Sequence, residues 1–233
     1  MIRLTVFPTP ENAALAAAER VVAAIGAAES EGRTAHISLA GGTTPRRAYE
    51  LLADRLTDVN RVDWWFGDER CVPPDDPESN YRLARETLFD AAGVPAERVH
   101  RIRGEDPPDD AARAYEDELR ACLSSGANGV PVLDLALLGL GEDGHTASLF
   151  PGDSALDATD RLALTVVATK PPPNRITLTL PVLRGARLVL VLATGTGKAD
   201  AVARVLAGPN PATPASLLGD ASAELLVDAA AAR

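Results

Sequence analysis

Cysteine is scarce. Cys71 and Cys122 are the only two in 233 residues, and their spacing matches no metal-ligand pattern. A disulfide framework is therefore excluded, and a reducing cytoplasm is the simplest setting. Lysine is almost missing: Lys170 and Lys198 stand against 21 arginines among the 23 basic residues. The two cations serve equally at most surface positions, so the bias reflects genomic composition, and a lysine retained after a Gly-rich turn stands out. No apolar run is long enough to span a membrane. The Ala-rich stretch after Glu11 is broken by Glu19 and Arg20, and no basic segment precedes it, so neither a secretory signal nor an anchor is visible. A basic surface is missing as well. The net charge of −10 argues against nucleic acid, whose binding needs phosphate-neutralising side chains. It leaves a small anionic ligand open, because a pocket's local charge can oppose the global sign.

What is present is ordinary for a globular chain: 46% of residues are hydrophobic, and the length suits a single α/β domain over residues 1–233. Only the Ala-rich end, Ala229 to Arg233, invites disorder. Short apolar or β-branched runs alternate with amphipathic stretches throughout. The pattern predicts strands at Ile2 to Phe7, Ala35 to Ala40, Val62 to Phe66, Val99 to Ile102, Leu133 to Leu138, Leu162 to Val167, Ile176 to Leu178, Leu188 to Ala193 and Glu224 to Val227. Helices are predicted near Glu11 to Ala28, Pro45 to Leu56, Ser79 to Ala92, Asp109 to Leu123 and Gly197 to Leu206. Near-continuous apolar strands such as the one from Leu133 imply a sheet covered on both faces. The expected fold is thus α/β, a three-layer αβα arrangement with a mostly parallel, Rossmann-like sheet. In such a sheet ligands sit outside the carboxyl ends of the strands.

Four strand-end loops carry candidate chemistry. The first runs Ala40, Gly41, Gly42, Thr43, Thr44, Pro45: its glycines let backbone approach a ligand, its threonines offer an N-cap, and the helix start favours a phosphate. A tight, well-capped turn is the plain alternative. The second holds Asp68, Glu69 and Arg70 directly after a strand. Three charges in a row are not buried without partners, so they face solvent or line a polar cleft. Nearby, Ser79 caps a helix.

The third loop runs from Leu138 to Gly152. Gly139, Gly141 and Gly144 satisfy a dinucleotide fingerprint literally, but Glu142 and Asp143 would repel a pyrophosphate, and the pattern lies far from the first βα unit. His145 is the useful residue there. His36 falls mid-strand, where packing suits it, and His100 lies in an expected strand, whereas His145 sits among loop glycines beside an acidic pair, placed as a general base. Ser148 lacks the G-x-S-x-G elbow of a nucleophile, and a lone histidine with acids does not make a metal site. The fourth loop ends Gly195, Thr196, Gly197, Lys198. It is no Walker A motif, since Leu192 stands where the first glycine belongs. Lys198 opposes the helix dipole unless an anion binds there, and Arg175 is a further candidate cation.

Together these pieces resemble the 6-phosphogluconolactonase family, which shares its fold with glucosamine-6-phosphate deaminases. They are Ala-Gly-Gly-Thr-Thr-Pro from Ala40, Phe-Gly-Asp-Glu-Arg-Cys-Val-Pro from Phe66, Ser-Asn-Tyr from Ser79, Leu-Gly-Leu-Gly-Glu-Asp-Gly-His-Thr-Ala-Ser-Leu-Phe-Pro-Gly from Leu138, Arg-Ile-Thr-Leu from Arg175 and Gly-Thr-Gly-Lys from Gly195. The likeness spans nearly the whole chain, in the family's order. The sister deaminases lead one to expect an aromatic where Arg70 stands and Ala-Phe-Asn-Glu-Pro soon after the histidine, where this chain has Ser-Leu-Phe-Pro.

The resemblance implies a cytoplasmic, cofactor-free hydrolase of the oxidative pentose phosphate pathway, opening 6-phospho-D-glucono-1,5-lactone to 6-phosphogluconate. Its substrate is a small phosphorylated sugar lactone, and the protein is expected to be a monomer or homodimer. Gly41, Gly42, Thr43, Thr44, Arg175 and Lys198 are expected to bind substrate. His145 is expected to act as base and Arg70 as oxyanion partner. Either Asp143 or Asp68 orients the imidazole or balances Arg70. No metal, nicotinamide or covalent intermediate is needed. A deaminase or isomerase of an amino-sugar phosphate, and a non-catalytic sugar-phosphate sensor, are the alternatives.

Overall fold

The structure, a computed structural model, describes residues 2–126, 129–219 and 222–233. Its elements in chain order are β1 (Arg3–Phe7), α1 (Pro10–Ser30), β2 (Ala35–Leu39), α2 (Arg46–Ala53), β3 (Val62–Phe66), β4 (Asp68–Arg70), α3 (Asn80–Ala84), α4 (Asp90–Ala92), α5 (Pro108–Cys122), β5 (Leu135–Gly139), β6 (Ala163–Val167), β7 (Asn174–Leu178), α6 (Leu180–Arg184), β8 (Leu188–Ala193), α7 (Ala199–Leu206) and β9 (Ala223–Asp228). A π-helical turn, Arg85–Phe89, joins α3 to α4. Six parallel strands form one sheet in the order β1-β9-β8-β5-β2-β3, with helices on both faces. The apolar runs expected to be covered on both sides are so: Leu135 to Leu138 of β5 and Val189 to Ala193 of β8 are all buried, and every residue of β9 is buried as well.

Helix α1 starts where the Thr9 hydroxyl accepts the Asn12 N–H, with Pro10 in the first turn, where its missing N–H costs nothing. Its buried face is built from alanines, Ala13, Ala14, Ala16, Ala17 and Ala18, small enough for α2 to pack closely against it. After β3 the chain crosses back over β2 to enter β5, and from β5 it proceeds outward through β8 to β9. Loops after β2 and β5 therefore diverge, and the crevice between them is where this topology places ligands.

Several expectations are corrected. The expected strands β6 and β7 do not join the main sheet, and Asp68–Arg70, expected as loop, is strand β4; the three form a second, antiparallel sheet. The run from Val99 is no strand. Only Val99 bridges, to Trp64 at the sheet edge, and the His100 N–H bonds the Trp64 carbonyl before the chain departs. Helix α2 begins at Arg46 rather than Pro45 and ends at Ala53 rather than Leu56, and no side chain caps it, so the threonine hydroxyls of Thr43 and Thr44 are not used as caps. Ser79 does cap α3, accepting the Arg82 N–H. At the C-terminus Ala231 is buried and its N–H bonds Asp228, so that end is ordered. Among the described residues no helix is long and apolar enough to cross a membrane.

Candidate active site

A cleft of about 220 Å³ opens at the carboxyl ends of the parallel strands. The loop after β2 lines it with Gly41, Gly42, Thr43 and Thr44; β4 with Asp68 and Arg70; the loop after β5 with Gly141, His145 and Ala147; β7 with Arg175; and the start of α7 with Lys198. Every residue singled out from the sequence for catalysis or binding lies on this cleft except Asp143, which touches it through His145. His36 and His100 lie elsewhere, beside Asp63 near the amino ends of β2 and β3.

Two buried tyrosines, which the sequence reading passed over, hold the strand ends in place. The Tyr49 hydroxyl donates to the Ala40 carbonyl at 2.6 Å and accepts the Ala40 N–H at 2.8 Å. Tyr115 brackets Phe66 in the same manner, at 3.0 and 2.8 Å. Burial pushes both phenols well above the ordinary range, so they stay protonated donors. The sign available in the sequence was a hydroxyl on an otherwise apolar helix face.

In the loop after β5, His145 Nδ1 lies 2.6 Å from Asp143 Oδ1, which also accepts the His145 backbone N–H at 3.1 Å. Burial works against ionisation of Asp143, but the His145 amide and imidazole outweigh it and hold the carboxyl below its usual range. An ionised carboxylate only accepts, so Nδ1 carries a proton, and in the neutral imidazole the lone pair is then on Nε2. Nε2 makes no hydrogen bond among the described residues. Gly141 makes this geometry possible: a Cβ there would lie 2.1 Å from Nδ1 and 2.5 Å from the Asp143 carboxylate. Ala147 follows in the left-handed region at φ 47°, the one non-glycine at positive φ among the described residues.

The small sheet supplies the opposite wall. Arg70 and Arg175 stand directly across from each other on β4 and β7. Like charges in that position repel. Burial first, then Arg70, lowers the Arg175 pKa. An anion between the two guanidiniums would relieve both effects. Arg70 donates to the Glu78 carbonyl at 2.6 Å, and its buried Nε has no partner. Lys198 makes no ion pair among the described residues.

Asp68 does not reach the imidazole. Its Oδ2 accepts the Ser148 hydroxyl at 2.5 Å and its Oδ1 the Asn80 amide at 3.1 Å, and the carboxylate lies close enough to Arg175 to favour its charge. Ser148 is fully buried, with no histidine or lysine among the described residues bonded to its hydroxyl, an arrangement unlike an activated nucleophile. Glu69, also buried, accepts the N–H groups of Asn80, Tyr81 and Arg70, and ties α3 to β4; burial raises its carboxyl to about 7 against those three donors. Among the described residues no group of three His, Cys, Asp or Glu side chains is placed to hold a metal ion.

A switch-point cleft with one oriented imidazole facing two guanidiniums and an ammonium defines a class: an α/β protein that handles a small anion. The sequence profile of the glucosamine-6-phosphate isomerases/6-phosphogluconolactonase matches residues 8–227. A 6-phosphogluconolactonase of Streptomyces coelicolor is 39% identical over 243 aligned positions, covering 99% of this chain and 93% of the relative. One from Haemophilus influenzae is 40% identical over 181 residues, 75% of this chain and 74% of the relative. The solved structure of 6-phosphogluconolactonase from Trypanosoma brucei superimposes with a TM-score of 0.90 at 32% identity, covering 100% of this chain and 98% of that one. This chain belongs to the glucosamine-6-phosphate isomerase/6-phosphogluconolactonase family.

Proposed function

We propose that this protein is a lactone hydrolase that opens 6-phospho-D-glucono-1,5-lactone to 6-phosphogluconate in the oxidative pentose phosphate pathway, acting in the cytoplasm as a monomer or homodimer. Residues 1–233 are read as one domain, because a single hydrophobic cluster runs through both sheets. The observation that carries the reading is the His145–Asp143 pair, with Nε2 free, on the same cleft as Arg70, Arg175 and Lys198.

In this mechanism the substrate phosphate is held by Lys198, Arg175 and the backbone from Gly41 to Thr44. The Nε2 lone pair takes a proton from water as the water oxygen bonds to the lactone carbonyl carbon. The carbonyl π electrons move onto oxygen, and Arg70 stabilises the resulting oxyanion. Asp143 stabilises the imidazolium through Nδ1, while Asp68 offsets the positive charge of the arginine pair. Collapse of the tetrahedral intermediate breaks the bond to the ring oxygen, which receives the proton from Nε2. The product acid then ionises to solvent. The scheme uses no metal, nicotinamide or covalent enzyme intermediate.

The test is acid release from freshly prepared lactone in a pH-stat, corrected for spontaneous hydrolysis, with His145→Ala measured alongside. General-base assistance is worth about 10²–10⁴-fold, and a fall of kcat in that range with KM little changed is expected. Wild-type turnover no faster than background would overturn the reading and direct the assay to ammonia release from glucosamine 6-phosphate.

A further inference from the structure

Phe150 touches two side chains of the site that come from different parts of the fold. Its ring centroid lies 4.8 Å from that of the His145 imidazole, tilted by 49°. The guanidinium carbon of Arg175 stands over the same ring, 6.0 Å from the centroid. His145 belongs to the loop after β5, Arg175 to β7 of the small sheet, and Phe150 is where they meet.

The chain is held firmly enough for that contact to matter. In the β4–β7 ladder Asp68 faces Thr177 and Arg70 faces Arg175, so the four side chains share one face of the small sheet. Ser148 docks on the first pair, its N–H donating to Thr177 Oγ1 at 3.2 Å and its hydroxyl to Asp68. Two residues later Phe150 covers Arg175, next along the same face. The loop is thus fixed to the small sheet at Ser148, and the ring of Phe150 is directed by that anchor.

Two physical consequences follow. One hydrogen bond at Nδ1 fixes a point of the imidazole but leaves its plane free to swing, and a neighbouring ring tilted against it restricts that swing. Separately, the negative π face of an aromatic attracts a guanidinium. Arg175 is buried and opposed by Arg70, so an aromatic face is a favourable neighbour for it before any anion arrives.

We propose that Phe150 is a positioning residue that sets the imidazole of His145 and the guanidinium of Arg175 relative to each other, so that base and anion-binding cation address one substrate. The kinetic part of this inference rests on the lactonase reading; the spectroscopic part does not.

The experiment compares Phe150→Leu, which keeps apolar bulk without a ring, with Phe150→Tyr, which keeps the ring. Phe150→Met is a second ringless variant should leucine not be accommodated. Loss of one aromatic contact predicts a fall in kcat of about tenfold in the ringless variants. Loss of the cation–π contact predicts a rise in KM of about threefold, and tyrosine should restore both. In proton NMR the Nδ1–H of His145, identified by its loss in His145→Ala, should exchange faster with water in the ringless variants and keep the wild-type rate in Phe150→Tyr. Ringless variants with wild-type kcat, KM and Nδ1–H exchange would overturn the inference and leave Phe150 as packing alone. If wild-type protein failed to hydrolyse the lactone, the functional reading would fall, while the exchange comparison would still decide Phe150.

Discussion

Gly141→Ala should disable the site through one methyl group. The φ of Gly141 lies outside the left-handed region, so its backbone conformation tolerates alanine, and the effect is steric rather than conformational. The added Cβ would fall 2.1 Å from His145 Nδ1, 2.3 Å from Cε1 and 2.5 Å from Asp143 Oδ1. Unstrained contact needs about 3.5 Å, so the imidazole must retreat by more than about 1 Å, and its bond to Asp143 cannot survive unchanged. A misplacement of about 1 Å can cost about 10²-fold in rate, and that is the expected fall in kcat. KM should change little, because the three atoms nearest the methyl all belong to His145 and Asp143 and none to the residues assigned to the phosphate. Gly26→Ala in α1, where a Cβ meets nothing within 4 Å, is the control. It should leave kcat untouched and add about 0.5–1 kcal/mol of stability. Steady-state kinetics in the pH-stat with a thermal melt on each variant decides the matter. Wild-type kcat in a folded Gly141→Ala protein would refute the claim that the Asp143–His145 geometry carries the rate.

Lys198→Ala should raise KM with a smaller effect on kcat, since a phosphate contact is made before the transition state; an unchanged KM would remove Lys198 from the phosphate site. Ser148→Ala leaves Asp68 Oδ2 without its donor in a buried setting, costing about 1–3 kcal/mol in a urea melt while turnover persists. Complete loss of activity in that variant, with the fold intact, would revive a serine nucleophile. His100 stacks on Trp65 with centroids 4.0 Å apart, its Nδ1 2.6 Å from Glu118 and its Nε2 3.7 Å from Asp63. Burial opposes its protonation, but the two carboxylates outweigh that and push its pKa up to about 9. Because the folded value exceeds the unfolded one of about 6.5, this stabilisation is complete below about pH 6.5 and fades as pH rises to about 9. Glu118 is partly exposed, so the loss should be on the order of 1–2 kcal/mol. Stability–pH curves of wild type and His100→Gln should converge over that window; parallel curves would refute the ion pairs.

The features readable from the sequence were those governed by local rules. Apolar runs at β5 and β8 declared strands covered on both faces, and the alternation of short apolar runs with amphipathic segments declared parallel order. Glycines after strands marked the loops, and His145 stood out because the other two histidines fell outside such loops. The run from Val99 misled for the complementary reason: its residues have strand character, but one bridge to Trp64 is all it forms with the sheet edge. Glu69 was unreadable as a buried group because the N–H donors that accommodate it include two from the start of the next helix. The choice between Asp143 and Asp68 was open for a like cause, since only the fold shows that Ser148 and Asn80 occupy Asp68.

The small sheet is the largest feature that local rules missed, and its invisibility has the same origin as its use. A strand reading Asp-Glu-Arg looks like a solvated turn, because charges are seldom placed where a sheet must be covered. Here the charges are tolerated because each has a task in the assembled cleft. Glu69 anchors α3, Asp68 holds Ser148 of the loop after β5, and Arg70 meets Arg175. The main sheet delivers the loops with His145, the glycines and Lys198, but it contributes neither guanidinium. Without β4 and β7 the oriented imidazole would face no buried cation, and without Ser148 on the Asp68–Thr177 pair the two walls would not be joined at that point. Local preference and global structure therefore conflict most at the candidate site, as expected when a functional constellation overrides the rules that build the scaffold around it.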